Sequence, residues 1–552
     1  MARLRHEKLS HMKNQTLLTL ALLTVVLALP LRAGAAEAAK TESAKPAASE
    51  DTANQYLEQR HESHGSVVIG GKRIDYDAVA GTIMIEDSKG APGALMSYVA
   101  YFKSGLGGGP ARPLTFFYNG GPGSATLWLH IGAFGPKRVE VGNGVRGAPA
   151  PYPFVDNGSS LLDATDLVFI DAPGTGFGRV GVDLEKIGEE DKRNKAREHN
   201  DELKKEFYGI DQDARAFDIF ITKFLSRFNR WNSPRFLFGE SYGTTRSAVL
   251  SFVLQSRSDI DLNGVMLLSQ IFNFGLSPDG PQSDPGNDLP YMLSLPTYAA
   301  TAWYHKKVPS EPAELAPFID GVEQFALSDY ARALAAGDRL SEQDRQTIAA
   351  KLHDFTGLPV AYILKANLRI DGGMFEKNLM ADEGLTVGRL DTRYTSPSID
   401  PLAKEAEYDP QSAAIDSAFV SVYNDYARSV LGFPREAPYM PESDDINNTW
   451  DFRHKEPGDE HPEQVAVNVM PDLATVMKMN PRLKVAQFAG YYDLATPFFA
   501  AEYEMNHLGL PPQLAKNIEF YHFDAGHMVY VSPQALEQLH DQAAAFIRAN
   551  SK

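Results

Sequence analysis

The feature that most constrains this chain is the pentapeptide Gly239-Glu240-Ser241-Tyr242-Gly243 together with its flanks. The apolar run Arg235-Phe-Leu-Phe precedes it, and a stretch with helical periodicity over 243–256 follows. A serine carried on a sharp strand-to-helix turn needs small residues on both sides, because the two elements leave the turn nearly on top of one another. The N–H groups that open the helix have no partner inside it and face the reaction centre. In a chain with 44 glycines the pentapeptide alone would say little; the strand before it and the helix after it make it specific.

That strand has company. Leu114-Thr-Phe-Phe-Tyr, Asp166-Leu-Val-Phe-Ile and Leu262-Asn-Gly-Val-Met-Leu-Leu are likewise short and apolar with little alternation, as parallel strands buried on both faces are. Residues 211–229 and 243–256, lying between them, read as helices. Upstream, Ser66-Val-Val-Ile, Gly81-Thr-Ile-Met-Ile-Glu and Ala94-Leu-Met-Ser-Tyr-Val-Ala-Tyr-Phe are β-rich and punctuated by Gly and Pro, which predicts an antiparallel edge. The alternation breaks near Ser277, and 278–475 is richer in Pro, charge and helix-like pieces. Strand character resumes at Lys484-Val-Ala-Gln-Phe and Ile518-Glu-Phe-Tyr-His-Phe, and a last amphipathic helix covers 533–549. The expected architecture is an α/β-hydrolase fold: a mostly parallel central sheet with an N-terminal antiparallel edge, interrupted by a mainly helical cap.

A serine hydroxyl needs a base to take its proton, and the α/β-hydrolases supply the partners in the order Ser, acid, His. Asp493, in Gly490-Tyr-Tyr-Asp493-Leu-Ala-Thr-Pro, and His527, in Phe523-Asp-Ala-Gly-His527-Met, follow the last two strands. Both stand at carboxyl ends of strands, where open α/β sheets place their sites. The predicted triad is therefore Ser241, Asp493 and His527, with Asp524 a rival acid tied to the same turn as the histidine. Acyl transfer also needs donors for the developing oxyanion. Asn119-Gly-Gly-Pro-Gly-Ser124 follows the strand ending at Tyr118, and a glycine-rich turn there exposes N–H groups beside the nucleophile. The expected oxyanion hole is the N–H of Tyr242 plus one from this loop.

The N-terminus reads as an address. Arg3, Arg5, Lys8 and Lys13 precede an apolar run from Leu17 to Leu31, and small residues follow at Ala33-Gly34-Ala35-Ala36. This is the pattern of a secretory signal peptide, and the run, interrupted by Pro30, is shorter than the roughly 20 residues a bilayer span needs. Residues 1–35 are thus a predicted signal peptide, with no stable membrane association after its removal, and 36–58 a flexible leader. The remaining chain divides into 59–277 and 476–552, two parts of the hydrolase domain, around the 278–475 insertion. With no cysteine the exported protein must hold together without disulfides, which fits a bacterial periplasm or medium. The balance of 53 Lys plus Arg against 71 Asp plus Glu gives a net charge of −18, a field that repels nucleic acid. No metal-ligand pattern or phosphate loop occurs in the sequence, so neither cofactor nor metal is expected.

Four segments, in order, resemble the serine carboxypeptidase family: Tyr118-Asn-Gly-Gly-Pro-Gly-Ser124, Asp171-Ala-Pro-Gly-Thr-Gly-Phe177, Phe238-Gly-Glu-Ser-Tyr-Gly243, and Gly490-Tyr-Tyr-Asp493 with Ala525-Gly-His527-Met. The resemblance implies release of C-terminal residues from peptides through an acyl-enzyme. It implies that Gly121 and Tyr242 form the oxyanion hole, and that Asn119, Gly120 and Glu240 grip the substrate's terminal carboxylate. A carboxyl beside a carboxylate must keep its proton to donate a hydrogen bond. The chain departs from the family twice: the position of a second glutamate after the Gly-Gly-Pro-Gly turn falls on Ala133, and the family's disulfides are absent. Two other readings stay open: an esterase or acyltransferase on the same scaffold, since the triad does not choose between amide and ester, and an inactive periplasmic binding protein.

Overall fold

The structure is a computed structural model and describes residues 56–105, 112–459, 461–462 and 466–551. The expected signal peptide and most of the expected leader lie outside the described residues. Nine strands build the central sheet: β1 (Arg60–Ile69), β2 (Lys72–Glu86), β3 (Pro92–Lys103), β4 (Leu114–Tyr118), β5 (Asp166–Ile170), β6 (Arg235–Glu240), β7 (Gly264–Leu268), β8 (Lys484–Gly490) and β9 (Ile518–Phe523). Their spatial order is β1-β2-β3-β5-β4-β6-β7-β8-β9, and the short strand Arg179–Val180 pairs with β3 as a tenth. The first three strands are antiparallel, β3 meets β5 antiparallel, and every later pairing is parallel.

The parallel strands are apolar throughout because both faces are covered. Phe117, Phe238 and Phe488 point into one core with the C-terminal helix α5 (Pro533–Ala549), which contributes Leu539, Phe546 and Ile547. Phe116, Leu237, Val265 and Val485 point into the other, against α1 (Ile210–Arg227) and α2 (Tyr242–Ser258). Burying a large apolar side chain stabilises by about 1.5–3 kcal/mol, so a one-residue slip, which would exchange the faces, is strongly opposed.

The insertion holds α3 (Leu289–Tyr304), several shorter helices, α4 (Pro410–Ser429) and the two-stranded antiparallel ribbon Leu385–Val387 with Thr395–Pro397. Its third core, built around Tyr298, Phe325, Leu352, Phe355 and Phe375, also takes in Tyr492, Leu494 and Phe498. The insertion therefore packs directly on the loop that carries Asp493. Its last helix, Met470–Met479, is part of the hydrolase layers: Leu473 and Val476 share a core with Val249 and Leu250 of α2.

Candidate active site

Ser241 follows β6 directly and caps α2 with φ 59° and ψ −129°, a conformation that β-carbon sterics disfavour and the turn imposes. The flanking glycines permit it. A Cβ on Gly239 would stand 2.2 Å from the Gly243 carbonyl, and one on Gly243 would stand 2.9 Å from that of Tyr118. The loop after β4 presses on the same turn, since a Cβ on Gly120 would lie 2.4 Å from the Tyr242 nitrogen. Gly121, next in line, has φ 101°. The Tyr242 N–H opens α2 and so lacks an intrahelical acceptor. The two candidate oxyanion donors thus lie on adjoining segments.

His527 and Asp493 meet: Nδ1 lies 2.9 Å from Oδ2, with the carboxylate fully buried and the imidazole 5% exposed. Asp524 is exposed and makes no such pair. Thr496 braces the pair. Its N–H donates to Asp493 Oδ1 at 2.9 Å, its hydroxyl to Oδ2 at 2.7 Å, and the hydroxyl lies 3.2 Å from His527 Nδ1. Burial opposes charge on the ring, but the Asp493 charge and hydrogen bond outweigh it, Glu240 adds to them and Arg389 works against them. The net effect raises the His527 pKa above its ordinary value. The imidazolium that forms in general-base catalysis is therefore favoured. No hydrogen bond joins Ser241 Oγ to His527 among the described residues. Both side chains line one cavity of about 190 Å³, and such contacts commonly close only when substrate binds.

Asn119, Gly120, Gly121 and Glu240 line that cavity too. Asn119 Nδ2 donates to Glu240 Oε2 at 2.7 Å, and the Tyr530 hydroxyl reaches both Glu240 oxygens at 3.0–3.1 Å. Burial pushes the Glu240 pKa up to about 7, against the lowering by His527, Tyr530 and Asn119. Ala133 is fully buried in the helical turn Leu129–Phe134 and brings no carboxyl to the cavity. Behind the site Arg246 of α2, 1% exposed, donates from Nη1 to the Asn119 carbonyl at 2.7 Å and from Nε to Asp213 Oδ2 of α1 at 2.6 Å. Among the described residues no group of three or more His, Asp or Glu is placed to hold a metal ion.

Sequence reasoning missed Thr496, Tyr530 and Arg246, and it missed the insertion's contribution of Arg389, Asp416 and Glu442 to the cavity wall. Thr496 lies three residues after Asp493, a spacing at which a local turn returns a hydroxyl to its neighbour, whereas the Tyr530 hydroxyl reaches Glu240 across 290 residues and has no such local signal. The insertion residues carry no comparable local signal.

The serine carboxypeptidase family model matches residues 97–273, from β3 to just beyond β7. No curated protein sequence matches the chain. Among solved structures, the prohormone-processing carboxypeptidase Kex1 of Saccharomyces cerevisiae superposes with a TM-score of 0.51 at 13% identity, covering 89% of this chain and 92% of that one. The proline iminopeptidase of Mycobacterium smegmatis gives a TM-score of 0.32 at 12% identity, covering 89% of this chain and 99% of that one. The family match spans the nucleophile turn and the glycine-rich loop, and the Kex1 superposition extends the fold over most of the chain. The chain thus has the α/β-hydrolase fold, and the part that carries the nucleophile turn, residues 97–273, matches the serine carboxypeptidase family model.

Proposed function

We propose that this chain releases C-terminal residues from peptides through an acyl-enzyme on Ser241. The observation that carries the reading is a single cavity lined by Ser241, His527 and the Asn119–Glu240 pair. In this mechanism His527, oriented by Asp493, takes the Ser241 proton as Oγ attacks the scissile carbonyl carbon. The Gly121 and Tyr242 N–H groups receive the oxyanion, His527 returns its proton to the leaving amine, and water then hydrolyses the ester. Asn119, the Gly120 backbone and a protonated Glu240 hold the substrate's terminal carboxylate. The apolar run and small-residue site at 17–36 support export to a periplasm or medium.

The test compares an N-blocked dipeptide with its C-terminal amide and with a simple ester, using Ser241→Ala as control. The carboxypeptidase reading expects the free acid to be turned over best, with loss of all three activities in the variant. Turnover of esters alone would instead support the esterase or acyltransferase reading. A folded protein that neither hydrolyses any of them nor labels with a fluorophosphonate would support the inactive binding protein.

A further inference from the structure

A carboxylate placed beside Glu240 needs a compensating positive charge or a proton. The partners of Glu240 are neutral, the Asn119 amide and the Tyr530 hydroxyl, and no second carboxyl stands at position 133 to share a proton. The cavity nevertheless contains a cation. Arg389, from the insertion, is the only arginine or lysine among the described residues that line it.

Its placement is rigid. The Arg389 and Leu390 N–H groups both donate to Asp409 Oδ2, at 2.6 and 3.0 Å. The Arg389 carbonyl takes the Leu494 N–H at 3.1 Å, and the Leu390 carbonyl takes the His527 N–H at 2.6 Å. The segment is thus stitched to the residue after Asp493 and to His527 itself. The guanidinium is oriented by Asp279, which takes Nε at 3.2 Å and Nη2 at 2.5 Å. Nη1 makes no hydrogen bond among the described residues. Both members of the Arg389–Asp279 pair are substantially exposed, at 39% and 47%, so the pair is screened and leaves the cation able to take a second anion. Asp416 and Glu442 on the cavity wall supply no positive charge, and burial raises both their pKa values, that of Asp416 to about 7, so the guanidinium is the permanent charge available to a carboxylate there.

We propose that Arg389 is the receptor for the substrate's terminal carboxylate, acting with Asn119 and Glu240 in place of the missing second carboxyl. The inference rests on the carboxypeptidase reading and names how this chain recognises a free C-terminus. A planar guanidinium binds a carboxylate directionally and does not titrate in the working range, so recognition persists where Glu240 has ionised.

The experiment measures kcat and KM for an N-blocked dipeptide and for its C-terminal amide, in the wild type, Arg389→Gln, Arg389→Lys and Asp279→Ala. Fluorophosphonate labelling of Ser241 reports the folded fraction of each. In Arg389→Gln the acid-to-amide ratio of kcat/KM is expected to fall at least about 10-fold, chiefly through KM for the acid, as loss of a charge-assisted hydrogen bond implies. Arg389→Lys should recover part of the ratio, and Asp279→Ala should retain it. A smaller fall in Arg389→Gln overturns the proposal, as does an equal fall in Asp279→Ala, which would make the pair a mere strut. A wild type indifferent to acid and amide overturns this inference and the carboxypeptidase reading together. A wild-type preference that survives Arg389→Gln overturns this inference alone.

Discussion

Glu240 shows how one residue's surroundings set the pH at which the site can work. Burial in the cavity wall holds its proton to about pH 7, where an ordinary glutamate has a pKa of 4.5. Between those values the folded chain binds a proton that the unfolded chain has lost, so this group's contribution to stability is lost as pH rises through the window. Its proposed role in binding follows the same sign. Protonated, it donates to a substrate carboxylate; ionised, it repels one. For a free-acid dipeptide, KM is expected to rise as pH passes about 7. Glu240→Gln, a permanent donor, should hold KM flat over that range, and a rise persisting in the variant would assign the effect to another group. His527 sets the opposite limb. Its raised pKa keeps the ring charged to a higher pH than an isolated imidazole, so the proposed general base becomes available later as pH increases.

At the scale of elements, the site depends on α1, α2 and the loop after β4 staying in register, and Arg246 joins all three. It pairs with Asp213 of α1, donates to the Asn119 carbonyl of the loop and stacks over Phe217 with its guanidinium carbon 4.5 Å from the ring centroid. Both charges are fully out of solvent, with side-chain exposures of 0% and 0%. Removing one leaves the other buried and uncompensated, at a cost of about 3–5 kcal/mol. Arg246→Ala should therefore lower the thermal midpoint by several degrees. The paired change Arg246→Met with Asp213→Leu should recover much of the stability, because an apolar pair of similar volume carries no desolvation penalty. It should not restore kcat/KM, because the tie to the Asn119 carbonyl is gone. Thermal scans and kinetics on the same preparations check both halves.

Across the whole molecule, the insertion must return to the sheet at a fixed place, and His454 helps to fix it. Its ring lies between Asp211 at the start of α1, at 2.6 Å, and Asp472 in the helix Met470–Met479, at 2.8 Å. Burial opposes its charge, but the hydrogen bonds its ring donates to the two carboxylates prevail and raise its pKa to about 10. An imidazole in the unfolded chain has a pKa of about 6.5. The stabilisation is thus complete below that value and is lost as pH rises through about 10. The thermal midpoint should fall between those limits in the wild type, and the fall should be shallower in His454→Gln. An unchanged slope would place the pH dependence elsewhere.

Periodicity and glycine placement made the scaffold legible in the sequence. Doubly buried strands such as Phe116-Phe117 and Phe236-Leu237-Phe238 are continuous apolar runs because both faces are covered, and the turn at Ser241 declares itself because only glycine fits at 239 and 243. The pairing of Asp493 with His527 was also within reach, since each follows a strand end and strand ends share one rim. The walls of the cavity were not. Arg389, Asp416 and Glu442 come from a segment with no period tying it to the sheet, and each alone reads as a solvated charge. Local sequence fixes which residues turn, alternate and cap, because those interactions span a few positions. Which insertion charge faces the serine depends on backbone bonds such as Leu494 N–H to the Arg389 carbonyl, across more than a hundred residues of chain. Only the packed core brings those ends together.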